Sequence, residues 1–222
     1  MKKINLSRLT LKDQVYEYLK TEILSGGLKP GQRVIEETIA EDLSVSRSPV
    51  REAVHLLEKD GLLTFHGTGG LMVLEPTAED YHYLFECRIE MESLAAYYAA
   101  ERRSEDEIER MKTCLEIMES GVIQSNLKGV LVGNADFHES VVRASHNPFL
   151  INLTMQLRGI NSFYRRAILE NNPSYIESAY KDHENIFTSI IEKDPKKAKR
   201  LMKQHIEKDF DSFKKTIANP GR

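Results

Sequence analysis

The chain has 222 residues, 41% apolar and 29% charged with the signs interspersed, which excludes wholesale disorder and supplies enough apolar material for one or two domains. A net charge of −3 excludes a uniformly basic nucleic-acid binder, so any DNA surface must be a local patch. The two cysteines, Cys87 and Cys114, are far apart in sequence, which argues against a disulfide framework and a cysteine-rich zinc site and fits a reducing cytoplasm.

The basic start, Met1 to Asn5, has no apolar h-region behind it, so export by a signal peptide is not expected. No apolar run approaches the ~20 residues that span a bilayer, and no membrane partner is expected. Residues 9–24 read as an amphipathic helix with Leu11, Val15, Tyr16, Leu19, Ile23 and Leu24 at helical spacing. Gly26-Gly27 ends it, and Leu28 to Gly31 is a turn. A short helix follows over 36–43 around Ile39, Ala40 and Leu43. After the turn Ser44-Val45-Ser46, a third helix runs to about Lys59, with Ser46 as N-cap and Pro49 in the first turn. Its buried stripe is Val50, Ala53, Val54 and Leu57, and Asp60-Gly61 stops it. Two β-prone runs, Leu62–Phe65 and Leu71–Leu74, flank Gly67 to Gly70 and read as a hairpin. From 78 onward only helical patterns occur, over 78–101, 104–120, 127–144, 148–169, 173–192 and 195–216. Pro148, Pro173 and Pro195 fall near helix starts, and Thr77 is placed to cap the first of these helices.

The expected fold is mainly α. An N-terminal winged helix-turn-helix occupies residues 1–76, and an all-helical bundle of about six helices occupies 77–222. In a winged helix-turn-helix the third helix enters the major groove N-terminus first. Arg47 and Arg51 are four residues apart and share a face there. Long cationic donors at that end reach guanine edges or phosphates, and the Ser46 and Ser48 hydroxyls reach phosphates. The bland alternative is that the two arginines are solvated charges paired with Glu52 or His55. The Gly-rich wing tip, Thr68 and Gly69, lets backbone approach DNA closely.

The string from Leu28-Lys29-Pro30-Gly31 through Ile39-Ala40-Glu41-Asp42-Leu43, Ser44 to Ala53, and Glu58 to Leu63 resembles the GntR family of bacterial transcription regulators. The resemblance implies operator contacts from Ser46, Arg47, Ser48, Arg51 and the wing tip. Many members carry arginine where this chain has Glu37, so one DNA contact is expected to be replaced, with Arg33 as the substitute.

Residues 78–216 resemble the FCD effector domain of the FadR-type branch, through Arg88-Ile89-Glu90, Asn134 to His138, Ser145 to Leu150 and the pair His183 and His205. On sequence alone a helix-borne histidine is more often a partly exposed polar residue than a ligand. Asn134 and His138 do share a helix face. The resemblance implies a divalent transition metal, zinc or nickel, on Asn134, His138, His183 and His205, with Asn134 where metal-binding members carry aspartate. It also implies that Arg88 binds a small organic-acid effector. Arg88 could equally pair with Glu92 one turn on; Arg158 and Tyr164 are lesser pocket candidates. Cys87 and Cys114 are expected in or near the core, and His82 and His146 are expected to be structural.

The implied protein is a cytoplasmic homodimer that binds pseudo-palindromic double-stranded operator DNA, most simply as a repressor, under effector control. An effector-independent DNA-binding dimer is the alternative. A metal-dependent hydrolase is the least favoured, because no base is paired with a ligand as in H-E-x-x-H.

Overall fold

A computed structural model of the chain describes residues 10–67, 70–75 and 77–218. It divides into two compact units, residues 1–75 and 76–222. Thr68 and Gly69, the expected wing tip, lie outside the described residues.

In the first unit, helix α1 (Leu11–Ser25) opens on a capping box in which Thr10 and Asp13 satisfy each other's backbone N–H. It closes on Gly26 at φ 82, a left-handed conformation that suits glycine. Helix α2 (Glu36–Asp42) is followed by Ser44 at φ 54, which turns the chain into α3 (Arg47–Lys59). Strands β1 (Leu63–His66) and β2 (Gly70–Val73) pair antiparallel, with Leu63 opposite Val73 and His66 opposite Gly70. Both strands begin and end one residue away from the expected runs. Arg33 bridges to Met72, so the segment before α2 lies along the hairpin. The core is Val15, Leu19 and Ile23 of α1 against Val50, Ala53, Val54 and Leu57 of α3, with Ala40, Leu62, Leu63 and Val73. Leu11, at the open end of α1, is exposed instead.

The second unit is a bundle of α4 (Ala78–Arg102), α5 (Glu105–Ile123), α6 (Leu127–Ala144), α7 (Pro148–Gln156), α8 (Arg158–Asn171), α9 (Pro173–Ile191) and α10 (Pro195–Ala218). Capping boxes at Thr77/Asp80 and Ser104/Glu107 start α4 and α5, and the Asn147 side chain caps α7 ahead of Pro148. The run 148–169, expected as one helix, is two. Its apolar pattern carries no stop signal, but Leu157 ends α7 while its carbonyl accepts from Asn161 to begin α8. Beyond that break Arg158 reaches Glu139 of α6, a long-range contact that sequence periodicity does not contain. Helices α5 and α6 approach closely at Gly133, where a Cβ would sit 2.7 Å from the Cys114 carbonyl oxygen. The main core joins Ala96, Ala99, Met111, Phe137, Val141, Ile186, Ile190, Met202 and Ile206. Cys114 is buried in it, whereas Cys87 is exposed: it falls on the outer face of α4 with His82, Tyr83 and Glu86. Among the described residues no helix is long and apolar enough to cross a membrane.

Candidate functional site

Helix α3 presents Ser46, Arg47, Ser48 and Arg51 to solvent, all exposed at or near its start. Ser46 stands at the N-cap in extended backbone, but its hydroxyl makes no capping hydrogen bond, contrary to expectation. The first N–H groups of α3 therefore keep their capacity for an external acceptor such as phosphate. Arg51 has no ion-pair partner among the described residues. Arg47 pairs with Glu37 of α2, and Ser48 donates to Glu52 at 3.2 Å. The anomalous acidic residue of α2 thus holds the first arginine of the reading helix rather than facing empty solvent. Arg33 is exposed, with its guanidinium beside Gly70 at the base of the hairpin.

In the helical unit, His138 of α6, His183 of α9 and His205 of α10 converge, each at most 5% exposed. The His138 Nε2 lies 3.1 Å from the His183 Nε2 and 3.3 Å from the His205 Nε2. Ligand nitrogens about 2.0–2.1 Å from a tetrahedral zinc stand about 3.3 Å apart, so the spacing fits one shared ion. Asn134, one turn before His138 on α6, is buried, and its Oδ1 has no hydrogen-bond partner among the described residues. An amide oxygen can ligate a metal, so this unpartnered buried acceptor, one helical turn from His138, fits the donor set. Asp136, between them in sequence, is exposed, as the helical geometry requires.

Glu92 of α4 organises the cluster. Its Oε2 accepts from the His138 Nδ1 at 2.6 Å, which turns the His138 Nε2 lone pair toward the other two rings. Its Oε1 accepts from the Arg88 Nε at 2.7 Å. Arg88 also reaches Asp209 Oδ2 at 3.4 Å, and Tyr175 donates to Asp209 Oδ1 at 3.0 Å. Burial alone would raise the Glu92 carboxyl, but Arg88 and His138 hold it well below the usual range. Burial pushes His138 down to about 4 against the pull of Glu92. Burial, then His205 and His138, push His183 well below the ordinary value. Neutral imidazoles are the form that ligates a metal.

Next to the cluster is a cavity of about 40 Å³, partly open to solvent and lined by Arg88, Glu92, His138, Val142, Met155, Arg158, Asn161 and Arg165, among others. Arg88 is there as expected, but committed to two carboxylates. Arg158 is also there, paired with Glu139. Tyr164 is buried, and its hydroxyl donates to the Thr77 carbonyl at 2.7 Å. His82 and His146 make exposed pairs with Glu86 and Glu107. Sequence reasoning missed Asp209, Arg165 and Asn161 altogether and saw Glu92 only as a helical partner for Arg88. No local signal separates buried Arg165 from its neighbour Arg166, because both lie in one polar-looking stretch of α8.

Comparison with known proteins follows the same division. The FCD domain family matches residues 83–208, and the family described as bacterial regulatory proteins, gntR family, matches residues 11–73. The chain is 32% identical to the uncharacterized HTH-type transcriptional regulator YdhC of Bacillus subtilis (strain 168), covering 92% of this chain and 91% of that one. It is 23% identical to the gluconate operon transcriptional repressor of Bacillus licheniformis, covering 93% and 84%. Among solved structures it resembles E. coli McbR/YncC with a TM-score of 0.80 at 21% identity, covering 95% of this chain and all of that one, a likeness of fold.

Proposed function

The chain belongs to the gntR family of bacterial regulatory proteins and carries an FCD domain, and on that premise we propose that it is a repressor released by a small organic acid. Its family and relatives are transcription regulators, not enzymes. In the proposed action it works in the cytoplasm as a homodimer, with two copies of α3 in successive major grooves of a pseudo-palindromic operator. Arg47 and Arg51 read base edges. Ser46, Ser48, Arg33, Thr68 and Gly69 contact phosphates or the groove wall. Two separate regions are proposed, residues 1–76 for DNA and 77–222 for effector binding and dimerisation.

In the helical region His138, His183 and His205, with Asn134, hold zinc or nickel, and a carboxylate effector enters the cavity lined by Arg88. A bound metal would supply a fixed positive charge and a coordination position beside that cavity. The convergence of three buried imidazole nitrogens, reached from three helices, carries the metal reading. One relative bears gluconate, a carboxylate, in the name of the operon it represses, which supports an acidic effector.

The test of the DNA reading is Arg51→Ala. DNA selected from a random pool by the parent is titrated with parent and variant at fixed salt. Loss of one base-reading arginine is expected to cost about 1–3 kcal/mol of binding, a fall of roughly ten- to a hundredfold. Unchanged affinity refutes the role assigned to α3.

A further inference from the structure

The two buried arginines of the cavity differ in one respect. Arg88 is satisfied by Glu92 and Asp209. Arg165, 8% exposed, leaves its Nη2 without a hydrogen-bond partner among the described residues. One turn earlier on α8, Asn161 is equally buried, and its Oδ1 is also unpartnered. Both residues line the same cavity. An unmatched N–H of a buried guanidinium and an unmatched buried acceptor are each costly, and a folded protein rarely keeps both side by side without a use. The carboxylates that share the cavity are taken: Glu92 by Arg88 and His138, Glu139 by Arg143 and Arg158.

We propose that Arg165 and Asn161 form the anchoring site for a 2-hydroxycarboxylate, with the carboxylate on the Arg165 guanidinium and the adjoining hydroxyl donating to Asn161 Oδ1. This rests on the effector reading above and assigns its chemistry to α8 rather than to Arg88. Size agrees. A water needs about 10–15 Å³ in this measure of cavity volume, so 40 Å³ holds roughly three non-hydrogen groups before the ligand must extend through the opening. The three atoms of a carboxylate fill that space, and the hydroxyl-bearing carbon and a short side chain extend into the opening along Ala135, Val142 and Met155. A planar two-toothed donor such as guanidinium matches a carboxylate better than any other anion-binding side chain.

The probes are L-lactate, D-lactate and propionate, which differ by the hydroxyl and its hand. The full-length, metal-replete protein is titrated by calorimetry, and its thermal midpoint is followed in parallel. A lactate enantiomer is expected to bind at least tenfold more tightly than propionate, and Arg165→Met is expected to weaken it at least tenfold. Ligand-free, Arg165→Met is expected to melt no lower than the parent, because it removes a desolvated guanidinium that makes no ion pair among the described residues and whose Nη2 has no hydrogen-bond partner. Arg165→Lys serves as the second variant, keeping the charge and losing the fork, with an intermediate affinity expected. Parent-like lactate affinity in Arg165→Met overturns the assignment, as does equal binding of propionate for Asn161. If lactate releases selected DNA from both parent and Arg165→Met, the site falls and the effector reading stands. If no probe binds the parent or alters its DNA affinity, both fall.

Discussion

Replacing Arg88 with methionine should be among the most damaging single changes in the helical unit. The side chain is 3% exposed and holds two buried carboxylates, through Nε to Glu92 at 2.7 Å and Nη2 to Asp209 at 3.4 Å. Methionine keeps much of the volume on α4, so packing contributes little to the loss. What remains is a pair of buried anions without their cation. Removing one partner of a buried ion pair costs about 3–5 kcal/mol, because the survivor keeps its desolvation penalty. One effect softens this. Burial and then repulsion from Arg88 push Arg165 down to about 10, so deleting Arg88 lets Arg165 approach Asp209 and Glu92. We therefore expect the lower end, about 3 kcal/mol, or a fall of roughly 6–12 °C in the melting midpoint at ~2–4 °C per kcal/mol for a protein of this size. The assay is urea unfolding followed by far-UV circular dichroism, with calorimetry in parallel, on chelator-treated protein so that metal linkage does not contribute. A loss below about 1 kcal/mol, the range of an exposed pair, would refute the view that Arg88 is the structural counter-ion of this network.

Acidification should destabilise the metal-free protein. Above about pH 6.5 His138 and His183 are neutral in both states and contribute no slope. Below it the unfolded chain binds protons that folded His138, pushed down to about 4, and His183, pushed down too, refuse. Stability should thus fall between pH 6.5 and about 4, by about 1.4 kcal/mol per pH unit for each such histidine, and a flat urea midpoint across that window would contradict the burial argument. Tyr164→Phe removes the hydroxyl that donates to the Thr77 carbonyl, next to Arg165 in sequence and at the segment leading to the DNA-reading unit. The carbonyl keeps the Tyr81 N–H at 3.2 Å, so the stability cost should be only about 1 kcal/mol. The ratio of DNA affinities with and without effector should move toward one in fluorescence anisotropy, and an unaltered ratio would separate Tyr164 from the coupling. Glu37→Gln releases Arg47 and removes a negative charge beside the reading helix, so binding to selected DNA should tighten several-fold at low salt. Weaker binding would instead make Glu37 the residue that aims Arg47.

Much of this was legible because the sequence punctuates itself. Proline at 148, 173 and 195, and the cap at Thr77, place helix starts by backbone chemistry that acts locally. The periodic stripe of α3 located the reading helix for the same reason. The break at Leu157 was not legible, since neither a proline nor a capping side chain marks it in the sequence. The ionic network failed in the same way: Arg88 and Asp209 are 121 residues apart, and only the fold joins them. Exposure of Cys87 and burial of Arg165 reverse what their side chains prefer in isolation, because the helix face decides. The histidine cluster was reached through family resemblance, since spacing alone gives three helical histidines no reason to meet.

The claim on which the rest depends is that these three histidines share a metal ion. Crystals of the purified full-length protein, with diffraction recorded on either side of the zinc and nickel absorption edges, test it most directly. One anomalous peak is expected about 2.0–2.1 Å from the Nε2 atoms of His138, His183 and His205, with the Asn134 Oδ1 turned toward it. Well-ordered rings with no peak at either edge, after growth in medium containing both metals, would contradict it.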